Sequence, residues 1–254
     1  MEIKRDAYLQ QLIERKDNGM IKVITGIRRC GKSFLLFTIF KRYLLENGVD
    51  VDHIIEIALD GIENEELRDP KVCFKYIKDA MKDDGKYYLL LDEVQFMPRF
   101  EEVLNSLLRI SNIDVYVTGS NAKMLSSEIA TTLGGRFLIQ EVYPYSFREF
   151  LLSQDIILKT NWLYTPSLRN EVVRTFDAYF YNGGFPELIA FKDKRSWLSG
   201  LYQKIFFGDL VARYALRNSD SMSLLVKKLA ESVMQPSSYN RLKNIVSSAG
   251  ESVG

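Results

Sequence analysis

Along residues 1–144, short apolar runs alternate with longer stretches in which apolar residues recur at helical spacing. The runs cover 20–25, 54–59, 87–91, 113–118 and 137–142. They are brief and mostly rich in β-branched or aromatic residues, the composition of strands buried on both faces. Helical patterns occupy 33–46, 70–82, 100–110 and 122–131. This alternation predicts an α/β fold, a parallel sheet with helices on both faces joined by right-handed crossovers. After Pro144 the strand pattern ends. Residues 146–153, 167–181 and 196–216 read as helices, interrupted by a turn at Asn182-Gly183-Gly184-Phe185-Pro186. Two shorter helices are predicted over 222–233 and 237–248, broken near Pro236. The expected organisation is a core over 1–144, a helical lid over 145–218 and a last segment over 219–254.

Composition narrows the function classes. The 254 residues are 46% apolar and 26% charged, which is ordinary for a soluble globular protein and excludes a disordered tail or a fibre. Thirty-four Lys/Arg against 33 Asp/Glu leave a net charge of +1, with no global pull toward nucleic acid or an acidic membrane. The charge is uneven, however, with 10 Lys/Arg and 5 Asp/Glu from Phe191 onward. A solvated helical surface is the commoner use of such an excess, and a nucleic-acid contact is the alternative. No apolar run approaches bilayer-spanning length, and residues 1–6 are too charged to open a secretory signal. Two cysteines far apart, Cys30 and Cys73, fit a reduced, cytoplasmic setting.

Chemistry enters at Gly26-Ile27-Arg28-Arg29-Cys30-Gly31-Lys32-Ser33, a G-x-x-x-x-G-K-[ST] phosphate loop between a predicted strand and a predicted helix. Its glycines let the backbone curl so that successive N–H groups point at anionic oxygens, and the helix start adds partial positive charge. The stretch from Gly26 through Phe34 is the expected nucleotide-binding segment. Within it, Lys32 reaches the β- and γ-phosphates and the Ser33 hydroxyl ligates Mg²⁺. The second motif is the strand Tyr87-Tyr88-Leu89-Leu90-Leu91, which ends in Asp92-Glu93. Asp92 fits the second metal contact, and Glu93 fits the general base that polarises an attacking water. A water-activating glutamate beside the metal aspartate favours hydrolysis over transfer to another acceptor. A third strand ends in Thr118-Gly119-Ser120-Asn121, where Ser120 or Asn121 can bond the water or the γ-phosphate, and Thr118 can instead cap the strand internally. Gly134-Gly135-Arg136 precedes the last strand, and Arg136 reads equally as an arginine finger for a neighbouring subunit or as a surface residue.

Together these motifs resemble the AAA-type ATPases, in particular prokaryotic ATP-binding proteins of largely unknown role with an archaeal-ATPase-like, origin-recognition-like core. The likeness runs on through Val94-Gln95, Pro144-Tyr145-Ser146-Phe147-Arg148-Glu149-Phe150 and Tyr181-Asn182-Gly183-Gly184-Phe185-Pro186-Glu187. It implies a sheet ordered 5-1-4-3-2, ATP and Mg²⁺ as cofactors, Lys32 and Ser33 on phosphate and metal, Asp92 on metal and Glu93 on water. It also implies Ser120 or Asn121 as sensor and Arg136 as the candidate finger. Such proteins run on through a winged helix, of which residues 219–254 resemble the first part, so DNA binding is expected only of a longer chain. The resulting expectation is a slow Mg-dependent ATPase, a possible homo-oligomer or one with a partner protein at the nucleotide site. The alternatives are a nucleotide-gated switch with negligible turnover and an ATP-controlled DNA-binding regulator. No guanine-reading Asn/Thr-Lys-x-Asp element is evident, which leaves adenine as the default base.

Overall fold

In the computed structural model, which describes residues 3–119, 132–211, 219–233 and 235–248, five strands form one parallel sheet. The strands are β1 (Ile21–Thr25), β2 (Ile54–Ala58), β3 (Tyr87–Asp92), β4 (Ile113–Gly119) and β5 (Phe137–Glu141). Their spatial order is β2-β3-β4-β1-β5, which is 5-1-4-3-2 read from the other edge. β1 and β4 pair with Lys22 beside Tyr116 and Thr25 beside Gly119, while β2 pairs with β3 so that Ala58 lies beside Asp92. Every residue of β1, β3 and β4 is buried, as continuous apolar runs require, whereas the edge strand β5 is partly exposed.

Each face of the sheet has its own core. On one face Val23, Ile57, Leu89, Leu91, Val115 and Val117 pack with Cys73 and Ile77 of α3 (Pro70–Ala80) and with Val103, Leu104 and Leu107 of α4 (Phe100–Leu107). Asp69 starts α3 by accepting from the Lys71 and Val72 amides, and Pro70 follows it. On the other face Ile24, Tyr88, Leu90 and Tyr116 pack with Leu12 of α1 (Asp6–Glu14) and with the rod α2. That rod runs as Lys32–Phe34, a π-helical stretch Leu35–Phe40, and Lys41–Glu46. Burying each such Leu or Ile contributes roughly 1.5–3 kcal/mol, so the two layers dominate the stability of the sheet.

The strand predictions agree with the structure to within a residue or two. Helix α1 was not foreseen, although Tyr8, Leu9 and Leu12 share a helical face that packs on the core. The helix expected over 122–131 lies outside the described residues.

The chain divides into two compact units, Met1–Phe191 and Lys192–Gly254. The first unit includes α5 (Phe147–Ser153) and α6 (Pro166–Asn182). A reciprocal capping box joins Ser146 and Glu149 at the start of α5, and α6 stops at Gly183, whose φ is 75°. The described part of the second unit is helical: α7 (Lys194–Gln203) continuing into a π-helical Lys204–Val211, α8 (Ser219–Glu231) and α9 (Tyr239–Ser248). Among the described residues, no helix is long and apolar enough to cross a membrane.

Candidate functional site

The carboxyl ends of β1, β3 and β4 are neighbours in the sheet, and the first two sequence motifs meet there. After Thr25 the chain turns at Gly26 with φ 154°, a position where a Cβ would lie 2.2 Å from the Val142 carbonyl oxygen and 2.8 Å from Cys30 Sγ. No other residue fits. Gly31, with φ 98°, then launches α2. Ile27 and Phe34 are exposed, Arg28 is half-buried, and Arg29 takes a left-handed φ of 63°. Cys30 is fully buried, and burial pushes its thiol up despite the opposing charges of Lys32 and Arg5, so it fills space rather than acting as a nucleophile.

Lys32 is 5% exposed. Its ammonium donates to the carbonyls of Gly26 at 3.1 Å and Ile27 at 3.4 Å, and it lies 4.0 Å from Glu93 Oε1. Asp92, also buried, accepts a hydrogen bond from the Thr118 hydroxyl, and the Ser33 hydroxyl lies close enough to favour its charge. Burial pushes its carboxyl above the usual range, the two hydroxyls oppose the rise, and the nearby Glu93 and Asp60 charges add to it. The two oxygen groups expected to hold a metal thus face one another, although among the described residues no group of three His, Cys, Asp or Glu gathers to hold one alone.

Glu93 occupies the left-handed region at φ 53°, ψ 48°, an uncommon conformation that concentrates at functional sites. Its N–H donates to Thr118 Oγ1 at 3.0 Å, and its carboxylate accepts from the Gln95 side-chain amide. Thr118 therefore ties the end of β4 to Asp92 at the end of β3 and to Glu93 just after it. Ser120 and Asn121 lie outside the described residues. Arg136 is not part of this cluster. It precedes β5 at the opposite, amino end of the sheet, where its carbonyl accepts from the Ile21 amide at 3.1 Å and its guanidinium donates to Asn105 at 2.9 Å. The length of β1, on the order of 13 Å, separates it from its own phosphate loop.

Two features of the site were missed in the sequence. Arg5, 4% exposed, donates to the Cys30 carbonyl at 2.9 Å, to the Tyr143 carbonyl at 2.7 Å and to Glu149 at 3.0 Å. Its guanidinium also lies 4.5 Å from the Tyr8 ring centroid and 5.3 Å from that of Tyr145. One residue in a charged opening segment thereby joins the loop to α5, and only tertiary structure reveals it. The second feature is the Gly-Gly-Phe-Pro-Glu turn. A Cβ on Gly184 would lie 2.2 Å from the Tyr145 carbonyl oxygen, so the turn hugs that strand exit. It reaches the loop itself, with Glu187 3.3 Å from Arg29 and Pro186 Cγ 3.8 Å from where a Gly31 Cβ would be.

The sequence model of the AAA domain family matches residues 18–151, more than half of the chain. The chain belongs to this family. That span contains the loop, both acidic residues and all five strands of this AAA domain. An uncharacterized protein of Haemophilus influenzae is 32% identical over 97% of this chain and 60% of its own length. An uncharacterized protein of Methanocaldococcus jannaschii is 30% identical over 96% of this chain and 53% of its own length. The chain thus spans little more than half the length of the curated relatives it matches. Among solved structures, a Walker-type ATPase of Pyrococcus abyssi shares the fold at 13% identity, with a TM-score of 0.54 over 100% of this chain and 86% of that one.

Proposed function

We propose that this AAA-domain protein binds ATP with Mg²⁺ and hydrolyses it to ADP and phosphate. The observation that carries the reading is the meeting of Lys32, Ser33, Asp92 and Glu93 beyond the carboxyl ends of β1 and β3, on either side of β4, with Lys32 and Glu93 4.0 Å apart. The residues fit the cofactor pair. A loop that takes positive φ at Gly26, Arg29 and Gly31 suits phosphate, and the Ser33–Asp92 oxygen pair suits a hard cation. Magnesium bound there would neutralise phosphate charge, held by Ser33 and Asp92. The loop amides and Lys32 bind the phosphates. Glu93 accepts a proton from water at its carboxylate, and Thr118 keeps Asp92 and Glu93 in register. In Glu93→Gln, ATP binding should persist while turnover falls by about 10²–10⁴-fold, as loss of a general base predicts. Unaltered phosphate release would remove Glu93 from the role.

The switch reading draws support from Arg5 and from the Arg29–Glu187 pair, which link the loop to α5 and to the turn after α6. Within the first unit the same contacts support a lid role for the residues after 144. Nucleotide retained through purification with negligible turnover would favour the switch. Arg136 can serve a nucleotide only on a neighbouring copy or partner, and ATPase activity that rises with protein concentration and is lost in Arg136→Ala would support that assignment. A cytoplasmic location, and DNA binding by a longer chain that begins its winged helix at 219–254, complete the proposed reading.

A further inference from the structure

Gln95 touches the Glu93 carboxylate, yet the hydrolytic reading leaves it without a task. It sits on the single helical turn Val94–Phe96 that follows Glu93, and the buried Val94 and Met97 anchor that turn in the core. The left-handed backbone at Glu93 reverses the chain and brings side chains two residues apart together. Gln95 Nε2 then donates to Glu93 Oε2. The amide orientation is dictated by chemistry, because a carboxylate only accepts. Its other end, Oε1, is consequently turned away from Glu93, and it is buried with no hydrogen-bond partner among the described residues. A buried acceptor left unmatched costs stability, and native proteins keep few of them.

We propose that Gln95 is the positioning residue of the Glu93 base: its amide nitrogen holds the carboxylate in the orientation that takes a proton from the attacking water. Glu93 takes one proton of the water, whose oxygen bonds to the γ-phosphorus as the bond to the ADP oxygen breaks, and the second hydrogen leaves on the phosphate. The inference rests on the reading of Glu93 as the water-activating group.

The test uses the full chain with Gln95→Met, which fills similar volume but neither donates nor accepts there, and Gln95→Asn, which keeps both functions one methylene short. Three quantities are read: steady-state kcat and KM, the ATP dissociation constant at equilibrium, and the melting temperature without nucleotide. Gln95→Met should lower kcat by about 10- to 100-fold, a fraction of a general base's worth. ATP affinity should change less than about threefold, and the melting temperature should hold or rise by about 2–4 °C as the orphan acceptor disappears. Gln95→Asn should recover part of kcat. A kcat within about twofold of the parent overturns the proposal. So does a fall in melting temperature accompanied by loss of affinity, the signature of a merely structural residue. Glu93→Gln, measured alongside, separates the two failures. If it abolishes turnover while Gln95→Met does not, only the role of Gln95 falls; if the parent shows no turnover, both readings fall.

Discussion

The sheet carries a buried polar cluster at each end, and the two differ in how completely their members are satisfied. At the amino end, Lys22 and Asp114 form an ion pair almost sealed from solvent. Asp114 also accepts from the Tyr116 hydroxyl and the Asp17 amide, both at 2.9 Å. Lys16 and Asp17 in turn bond the Tyr88 hydroxyl. At the carboxyl end, Asp92 is buried with one hydroxyl donor, Thr118, and carboxylate neighbours, Glu93 holds a left-handed backbone, and two buried acceptor-capable atoms, Thr25 Oγ1 and Gln95 Oε1, have no partner among the described residues. Polar groups that close on one another hold a fold together. Polar groups that stay partly unmatched cost stability, and they persist where something else is to be bound.

The largest effect should come from opening the saturated cluster. Lys22→Met leaves Asp114 buried without its cation and should cost about 3–5 kcal/mol in a denaturant melt, of which adding Asp114→Asn returns most. A loss that the double variant does not restore would break the comparison at its structural end.

Much of this was legible in the sequence because buried parallel strands are written as apolar runs, and Tyr87-Tyr88-Leu89-Leu90-Leu91 is one. The loop motif carries its own geometry, and both of its glycines take the positive φ that the motif demands. The strand order came only with the family resemblance, since periodicity says nothing about neighbours. Arg5, Gln95 and Glu187 stayed silent because their roles lie in contacts that local pattern does not encode; Arg5 meets Glu149 144 residues away. The Lys22–Asp114 pair was hidden for the same reason, each charge sitting inside an otherwise apolar run.

Next in size is Arg5. Arg5→Ala removes donors from two carbonyls and from Glu149, and should cost about 2–4 kcal/mol while weakening nucleotide binding. Arg5→Lys should recover little, because one ammonium cannot reproduce a three-way guanidinium fork. Wild-type melting of either variant would show that the link between loop and α5 is incidental.

Asp92→Asn sharpens the contrast by inverting the sign. It keeps an acceptor for Ser33 and Thr118 but deletes a buried negative charge beside Glu93 and Asp60, so the nucleotide-free protein should gain about 1 kcal/mol. Magnesium-dependent ATP binding should fall at the same time. A destabilisation like that of Lys22→Met would mean that both clusters are structural.

The smallest effect belongs to the exposed pair. Arg29 and Glu187 are 39% and 53% exposed, so Glu187→Gln should shift stability by less than about 0.5 kcal/mol. A larger shift would give the turn after α6 a structural weight that this geometry does not predict.

The most direct test of the account is equilibrium binding of ATP with Mg²⁺ to the full chain and to Lys32→Ala. The parent should bind saturably and the variant at least about tenfold more weakly, since the loop loses its phosphate-facing cation. Equal affinity in the two proteins, or a parent that stays empty at millimolar nucleotide, would contradict it.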